Sequence, residues 1–288
     1  SFHGYTGEIA NYISKFNLST KRIKELFDNE KFTTETFGTK HIKKVKGKFE
    51  FKSVHFSYKR NEVLKWVSFT VNPDETVAFV GKTGSGKTTI FNLLCKMYDI
   101  DKGEILIDNI NINELDKNTI RGNITVISQS PYIFNMSIKE NLKLVKPNLT
   151  NKEMKEALKT ACLYDFVESL PDKYDTILGD NGITLSGGQK QRLAIARALI
   201  QKTEIILFDE ATSALDNETQ EKITKAINNM KKEYTIMIIA HRLSTIINAD
   251  KIFFLNNGKI ECSGTHEYLL KHSKEYKKLY ETEIKTKK

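Results

Sequence analysis

Cysteine is scarce in this 288-residue sequence: Cys95, Cys162 and Cys262 are odd in number and far apart. With no Cys-x-x-Cys pair and no cysteine–histidine cluster, the pattern excludes a disulfide framework and a sequence-readable zinc site. It fits a reducing compartment. No apolar run approaches the roughly 18 residues that a membrane-spanning helix needs. The residues from Ser1 show no secretory-signal pattern. Internal repeats and low-complexity tracts are missing, and no long heptad array separates Thr88 from Leu185. Charge is not scarce. Forty-five Lys and Arg against 36 Asp and Glu leave a formal net charge of +9, with 28% charged and 39% hydrophobic residues. That balance rules out collagen-like and wholly membrane-embedded chains and leaves enough apolar material for a sizeable core. The length predicts one large α/β domain, or one domain plus an arm. The basic excess reads first as a lysine-rich solvated surface. Its densest run, His41–Lys48, lacks the aromatic interleaving of a nucleic-acid stripe and reads as a linker.

Residues 1–30 place Ile9, Ile13, Phe16, Ile23, Leu26 and Phe27 at roughly helical period, which predicts a helical arm. From Phe49 the pattern changes. Phe49–Tyr58 and Leu64–Val71 read as strands. Short apolar runs at Val77–Val80, Ile124–Ile127, Ile205–Phe208, Ile236–Ala240 and Ile252–Leu255 suit strands buried on both faces of a parallel sheet. Thr88–Met97 reads as helix, and the stretch from Ile138 to Leu170 reads as a helical insertion. Strand–helix alternation of this kind predicts an α/β sheet.

Gly81-Lys82-Thr83-Gly84-Ser85-Gly86-Lys87-Thr88 satisfies the phosphate-loop pattern G-x-x-x-x-G-K-[ST], with a strand before it and a helix after it. The glycines let the chain curl so that backbone N–H groups and a helix N-terminus form an anion cradle. Lys87 would place a point charge on the β and γ phosphates, and Thr88 would offer a hydroxyl to magnesium, with Thr89 beside it. A second carboxylate-bearing segment, Ile205-Ile206-Leu207-Phe208-Asp209-Glu210, ends a buried strand in two acids. Burying acids there is costly unless they meet a cation or a water to activate. Asp209 would hold magnesium, largely through its water shell. Glu210 would act as general base on the attacking water.

The run Leu185-Ser186-Gly187-Gly188-Gln189, continuing Lys190-Gln191-Arg192-Leu193-Ala194-Ile195-Ala196-Arg197-Ala198-Leu199, resembles the signature motif of ATP-binding cassette (ABC) transporters. Over about residues 46–275 the sequence is similar to the nucleotide-binding domain of that family. The resemblance implies an ABC-type α/β phosphate-loop ATPase with a RecA-like mixed sheet core, an antiparallel β subdomain and a helical subdomain. It implies that Tyr58 stacks on adenine and that Gln129 joins the magnesium site to the helical subdomain. It implies that Ser213-Ala214-Leu215-Asp216 crosses a dimer interface and that His241 contacts the γ-phosphate. Ser186 can N-cap its helix, whose positive end suits a phosphate. The resemblance implies that this phosphate belongs to a partner chain, with Ser186, Gly187, Gly188, Gln189 and Asp216 acting in trans. Two cassettes then sandwich two ATP molecules, with Mg2+, head to tail.

Three features resemble the exporter branch of multidrug-resistance (B) type: the arm with Ser19-Thr20-Lys21-Arg22-Ile23-Lys24-Glu25-Leu26-Phe27, the segment Gly179–Thr184, and Pro131-Tyr132-Ile133-Phe134. They imply residues 1–45 as a helical extension and linker after a membrane domain, and 46–288 as the nucleotide-binding domain with a helical subdomain at about 131–200. The implied partners are ATP or ADP, a second nucleotide-binding domain (homodimer or paired half), and a transmembrane domain of the same chain. No nucleic acid is implied. The implied place is a membrane, with this domain on the cytosolic or an equivalent reducing side. Asp180-Asn181 and Ser130 depart from residues common in that branch. A soluble non-transport cassette and a separately encoded importer ATPase are the alternatives.

Overall fold

The computed structural model describes residues 35–128, 130–179, 182–209, 217–240 and 246–286. Residues 37–288 form one compact unit. Residues 1–36 form a separate unit that lies, apart from Glu35 and Thr36, outside the described residues, as does the helix expected at 1–30.

The unit opens with two long strands, β1 (Phe49–Tyr58) and β2 (Asn61–Val71), followed by β3 (Thr76–Val80) and helix α1 (Lys87–Leu94). Next come β4 (Lys102–Ile107), β5 (Ile110–Asn111), α2 (Lys117–Gly122) and β6 (Ile124–Ile127). A run of helices follows: α3 (Ile138–Lys143), α4 (Asn151–Thr160), α5 (Tyr164–Ser169) and α6 (Gly187–Gln201). The chain then alternates β7 (Ile205–Asp209), α7 (Asn217–Met230) and β8 (Thr235–Ile239). It ends in the hairpin β9 (Lys251–Asn256) and β10 (Lys259–Gly264) and the helices α8 (His266–His272) and α9 (Lys274–Thr286).

The strands make two sheets. One is antiparallel, in the order β2-β1-β4-β5; the other runs β10-β9-β3-β8-β7-β6, parallel except for the antiparallel edge strand β10. Every residue of β3 and β8 is buried. The alternation of strand side chains between two covered faces explains why both strands, after an opening threonine, are apolar. Val77, Phe79, Ile205, Leu207, Met237, Ile239, Phe253 and Leu255 point into a core shared with the antiparallel sheet and α1. Their neighbours Ala78, Val80, Ile206, Phe208, Ile236, Ile238, Ile252 and Phe254 point into a second core shared with the helices from α3 onward. The large sheet is therefore the middle of three layers.

Residues 37–45, grouped with a linker from sequence, are hydrogen-bonded to this unit. Gly38 N–H donates to Leu115 O at 2.9 Å, Asp116 N–H to Lys40 O at 3.0 Å, and Ile42 N–H to the Thr119 hydroxyl at 2.7 Å. Lys117 and Arg121 lie over the Phe37 ring, at 5.7 and 5.2 Å from its centroid. The helix expected over Thr88–Met97 stops at Leu94. Lys96 takes a left-handed φ of 52°, and Met97 N–H closes back onto Asn92 O at 2.9 Å.

Candidate nucleotide-binding site

The carboxyl ends of parallel strands are where open α/β sheets bind ligands. In register, Phe79 of β3 and Asp209 of β7 flank Ile239 of β8, and Ile127 of β6 pairs with Phe208. The strands leading to the phosphate loop, Gln129, Glu210 and His241 thus end side by side. Gln129, Glu210, Asp216 and His241 themselves lie outside the described residues.

The phosphate loop leaves the buried end of β3 at Gly81, where an added Cβ would come within 2.1 Å of Leu255 O. It enters α1 at Gly86, whose φ of 105° and 2.6 Å approach to Leu64 would both reject a side chain. Between them Thr83 and Gly84 are exposed while Ser85 is buried. The Ser85 hydroxyl is enclosed and makes no hydrogen bond among the described residues. Lys87 is only 4% exposed, yet its ammonium donates to Gly81 O at 2.9 Å and Lys82 O at 3.0 Å. The loop's own carbonyls therefore offset the cost of enclosing the charge and aim it across the loop. Thr88 is exposed at the helix start and Thr89 is buried behind it. No acidic residue occupies the first turn of α1, so its positive end is not neutralised locally.

Asp209 closes β7, half-buried, with its Oδ1 enclosed. Among the described residues no group of three or more His, Cys, Asp or Glu side chains could hold a metal ion. One carboxylate and one threonine hydroxyl are hard oxygen donors and few in number. That set fits magnesium, which keeps waters and phosphate oxygens in its shell and takes one or two protein ligands.

Tyr58 ends β1, half-buried. Its hydroxyl accepts a hydrogen bond from Asn92 Nδ2 at 3.2 Å. Its ring stands perpendicular to those of Phe56 (4.8 Å, 88°) and Tyr98 (5.0 Å, 87°). Asn92 lies on α1, the helix that begins at Lys87. Cys95, which caps the same helix, is buried in the core, which pushes its thiol up to about 11 and keeps it protonated.

The signature run folds as its residues dictate. Ser186 takes an extended conformation and caps α6. Its hydroxyl accepts from Gln189 N–H at 3.3 Å, while Gln189 Oε1 accepts from Ser186 N–H at 2.8 Å. This reciprocal cap uses Gln189 Oε1 and the Ser186 hydroxyl oxygen as acceptors, so the helix end offers backbone N–H groups, the exposed Gly187 and the remaining side-chain donors of both residues. Gly188 is buried where an added Cβ would meet the Thr219 methyl of α7 at 1.9 Å. Only glycine lets the two helices come this close. The signature end is packed by α7, and the phosphate loop by Leu64 and Leu255, so the two have different neighbours in the chain.

One polar network was not anticipated from sequence. Arg197, in the middle of α6, donates from Nε to Asn141 O at 3.1 Å, from Nη1 to Tyr132 O at 2.8 Å and from Nη2 to Asn141 Oδ1. Asn141, fully buried on α3, donates to Phe134 O at 3.0 Å and Met136 O at 3.1 Å. The segment after Gln129 is thereby tied to the signature helix, and burial disfavours the charge on Arg197. A lone arginine amid Ala194–Ala198 and a lone asparagine beside Leu142 were the available signals.

Fold, phosphate loop and capped helix together define a phosphate-loop nucleotide-binding domain. The model of the ABC transporter family matches residues 64–213, and the chain belongs to that family. It is 45% identical over 246 residues to an ATP-dependent lipid A-core flippase of Haemophilus influenzae (strain 86-028NP), covering 84% of this chain and 42% of the relative. It is 38% identical over 278 residues to the heavy metal tolerance protein of Schizosaccharomyces pombe (strain 972 / ATCC 24843), covering 96% of this chain and 34% of the relative. Among solved structures, a bacterial Atm1-family ABC exporter with ATP bound superimposes with a TM-score of 0.83 at 34% identity. That match covers 94% of this chain and 48% of the other. The chain spans less than half the length of these relatives. The family and fold expected from the signature run are those found.

Proposed function

We propose that this chain is the ATP-hydrolysing part of an ABC exporter, dimerising on ATP to drive a substrate across a membrane. The observation that carries the reading is the phosphate loop at the carboxyl edge of the sheet, with Lys87 enclosed and aimed by two loop carbonyls. Residues from about 46 onward, with 37–45 bonded to them, form the nucleotide-binding domain, and 131–200 its helical subdomain. Residues 1–45 lead from a transmembrane domain of the same protein, which puts the domain on the cytosolic or equivalent reducing side of a membrane.

In the mechanism, backbone N–H groups of Gly81, Thr83, Gly84, Ser85 and Gly86 cradle the phosphates and Lys87 neutralises the β and γ oxygens. Tyr58 stacks on the base. Thr88, Gln129 and Asp209 hold magnesium, which when bound neutralises phosphate charge. Glu210 accepts a proton from the attacking water, and His241 contacts the γ-phosphate. The partner's α6 end, with Ser186, Gly187, Gly188 and Gln189, closes on that phosphate, and Asp216 crosses the interface. In-line hydrolysis then rests on positioning and on the positive end of a capped helix. Replacing Glu210 with Gln leaves binding intact and removes the proton acceptor. Glu210→Gln at saturating ATP and magnesium is expected to elute as a stable dimer with turnover lost. A variant that stays monomeric under those conditions contradicts the trans sandwich.

A further inference from the structure

We propose that Asn92 and Tyr98 are positioning residues for the nucleobase: they fix the plane of the Tyr58 ring and tie it to the phosphate loop. The inference rests on the reading of Tyr58 as the base platform. Tyr58 is the last residue of its strand, and Lys59 turns away with a left-handed φ of 55°. A half-buried ring at a strand end can swing about its side-chain torsions unless something holds it. Three contacts do so here. Asn92 donates to the phenolic oxygen at 3.2 Å, and the perpendicular rings of Phe56 and Tyr98 bracket Tyr58 at 4.8 and 5.0 Å. Edge-to-face pairs of this kind prefer one orientation.

Asn92 lies on the helix that begins with Lys87 and Tyr98 follows the turn that closes it, while Phe56 comes from β1 itself. Asn92 sits between the buried Phe91 and Leu93, so its own place is fixed by the core. Tyr98 is fixed by the closing turn of α1, in which Met97 N–H bonds Asn92 O at 2.9 Å and Lys96 pairs with Asp99. The helix and the turn that closes it therefore carry the phosphate-binding lysine at one end and the Asn92 and Tyr98 restraints on the base platform farther along. The spacing between triphosphate and base is set by that helix and not by the β1–β2 turn. A tyrosine that is 44% exposed at this point is explained by its ring contacts with Tyr58 and Phe56.

Calorimetric titration of the chain with ATP and, separately, with inorganic tripolyphosphate tests this, because tripolyphosphate lacks a base. A hydrogen bond or ring contact of ordinary strength makes Asn92→Leu and Tyr98→Ala each weaken ATP binding about threefold to tenfold. Tripolyphosphate affinity is expected to stay unchanged in both. Tyr98→Phe, which keeps the ring, should bind ATP like the parent. In a Tyr58→Phe background, which has no phenolic oxygen, Asn92→Leu should cost nothing further. Equal losses for ATP and tripolyphosphate, or unchanged ATP affinity in both variants, overturn the proposal. So does a Tyr98→Phe loss as large as that of Tyr98→Ala. Tyr58→Ala separates the two levels. If it leaves the ratio of ATP to tripolyphosphate affinity unchanged, the platform reading itself fails. If it lowers that ratio while the Asn92 and Tyr98 variants do not, only the positioning role fails.

Discussion

At the scale of single residues, Lys87 joins two opposing demands. It is enclosed enough for its charge to act strongly, yet keeps two carbonyl partners. Lys87→Ala removes that charge, and charge-assisted hydrogen bonds of roughly 1.5–3 kcal/mol imply about a tenfold to hundredfold loss of ATP affinity. Equilibrium titration would show it, and unchanged affinity would refute the phosphate-loop assignment. His266 makes a second residue-scale prediction. It is buried and bonded through Nδ1 to the Tyr276 hydroxyl at 2.8 Å. Burial holds its pKa below the ordinary value, against the opposing charge of Glu267. The folded state thus binds fewer protons than the unfolded one just below pH ~6.5, and stability present above that pH is lost as pH falls through it. Urea midpoints at pH 7.5 and 5.5 should fall further for the parent than for His266→Asn. The phosphate loop was legible in sequence because its spacing is dictated by backbone geometry around an anion. Arg197 and Asn141 were not, because each looks like a stray polar residue until the fold brings them together.

At the scale of elements, the contact between α6 and α7 depends on a missing side chain. Gly188→Ala drives a methyl into Thr219, and overpacking of this sort costs about 1–3 kcal/mol, partly offset by the better helix propensity of alanine. Denaturant melts should show the loss, and adding Thr219→Ser, which deletes the offending methyl, should recover most of it. Equal stability of parent and Gly188→Ala would mean that the helices separate freely. The buried strands were readable at this scale because both faces of the large sheet are covered and their runs are wholly apolar. Lys102–Ile107 and Lys259–Gly264 were not. The first has three exposed residues before three buried ones, and the second, on the sheet edge, has no fully buried residue, so neither shows a period. The early end of α1 was hidden as well, because Lys96 takes a left-handed turn that glycine usually marks.

At the scale of the whole molecule, the phosphate loop and the signature end have separate neighbours within one chain. The head-to-tail arrangement proposed above therefore predicts turnover per chain that rises with protein concentration and levels off once dimers dominate. Steady-state rates across a dilution series would measure it, and a flat rate from a strictly monomeric sample would remove the trans contribution. The reciprocal cap on α6 has a consequence for how such a molecule can be tuned. Each of Ser186 and Gln189 accepts from the other's main-chain N–H, so together they set the opening turn of the helix and still hold donor protons of their own, on the Ser186 hydroxyl and the Gln189 amide. A substitution at either position therefore alters the turn and the group shown to a docking phosphate at once. Shape and grip at that end are governed by the same two residues.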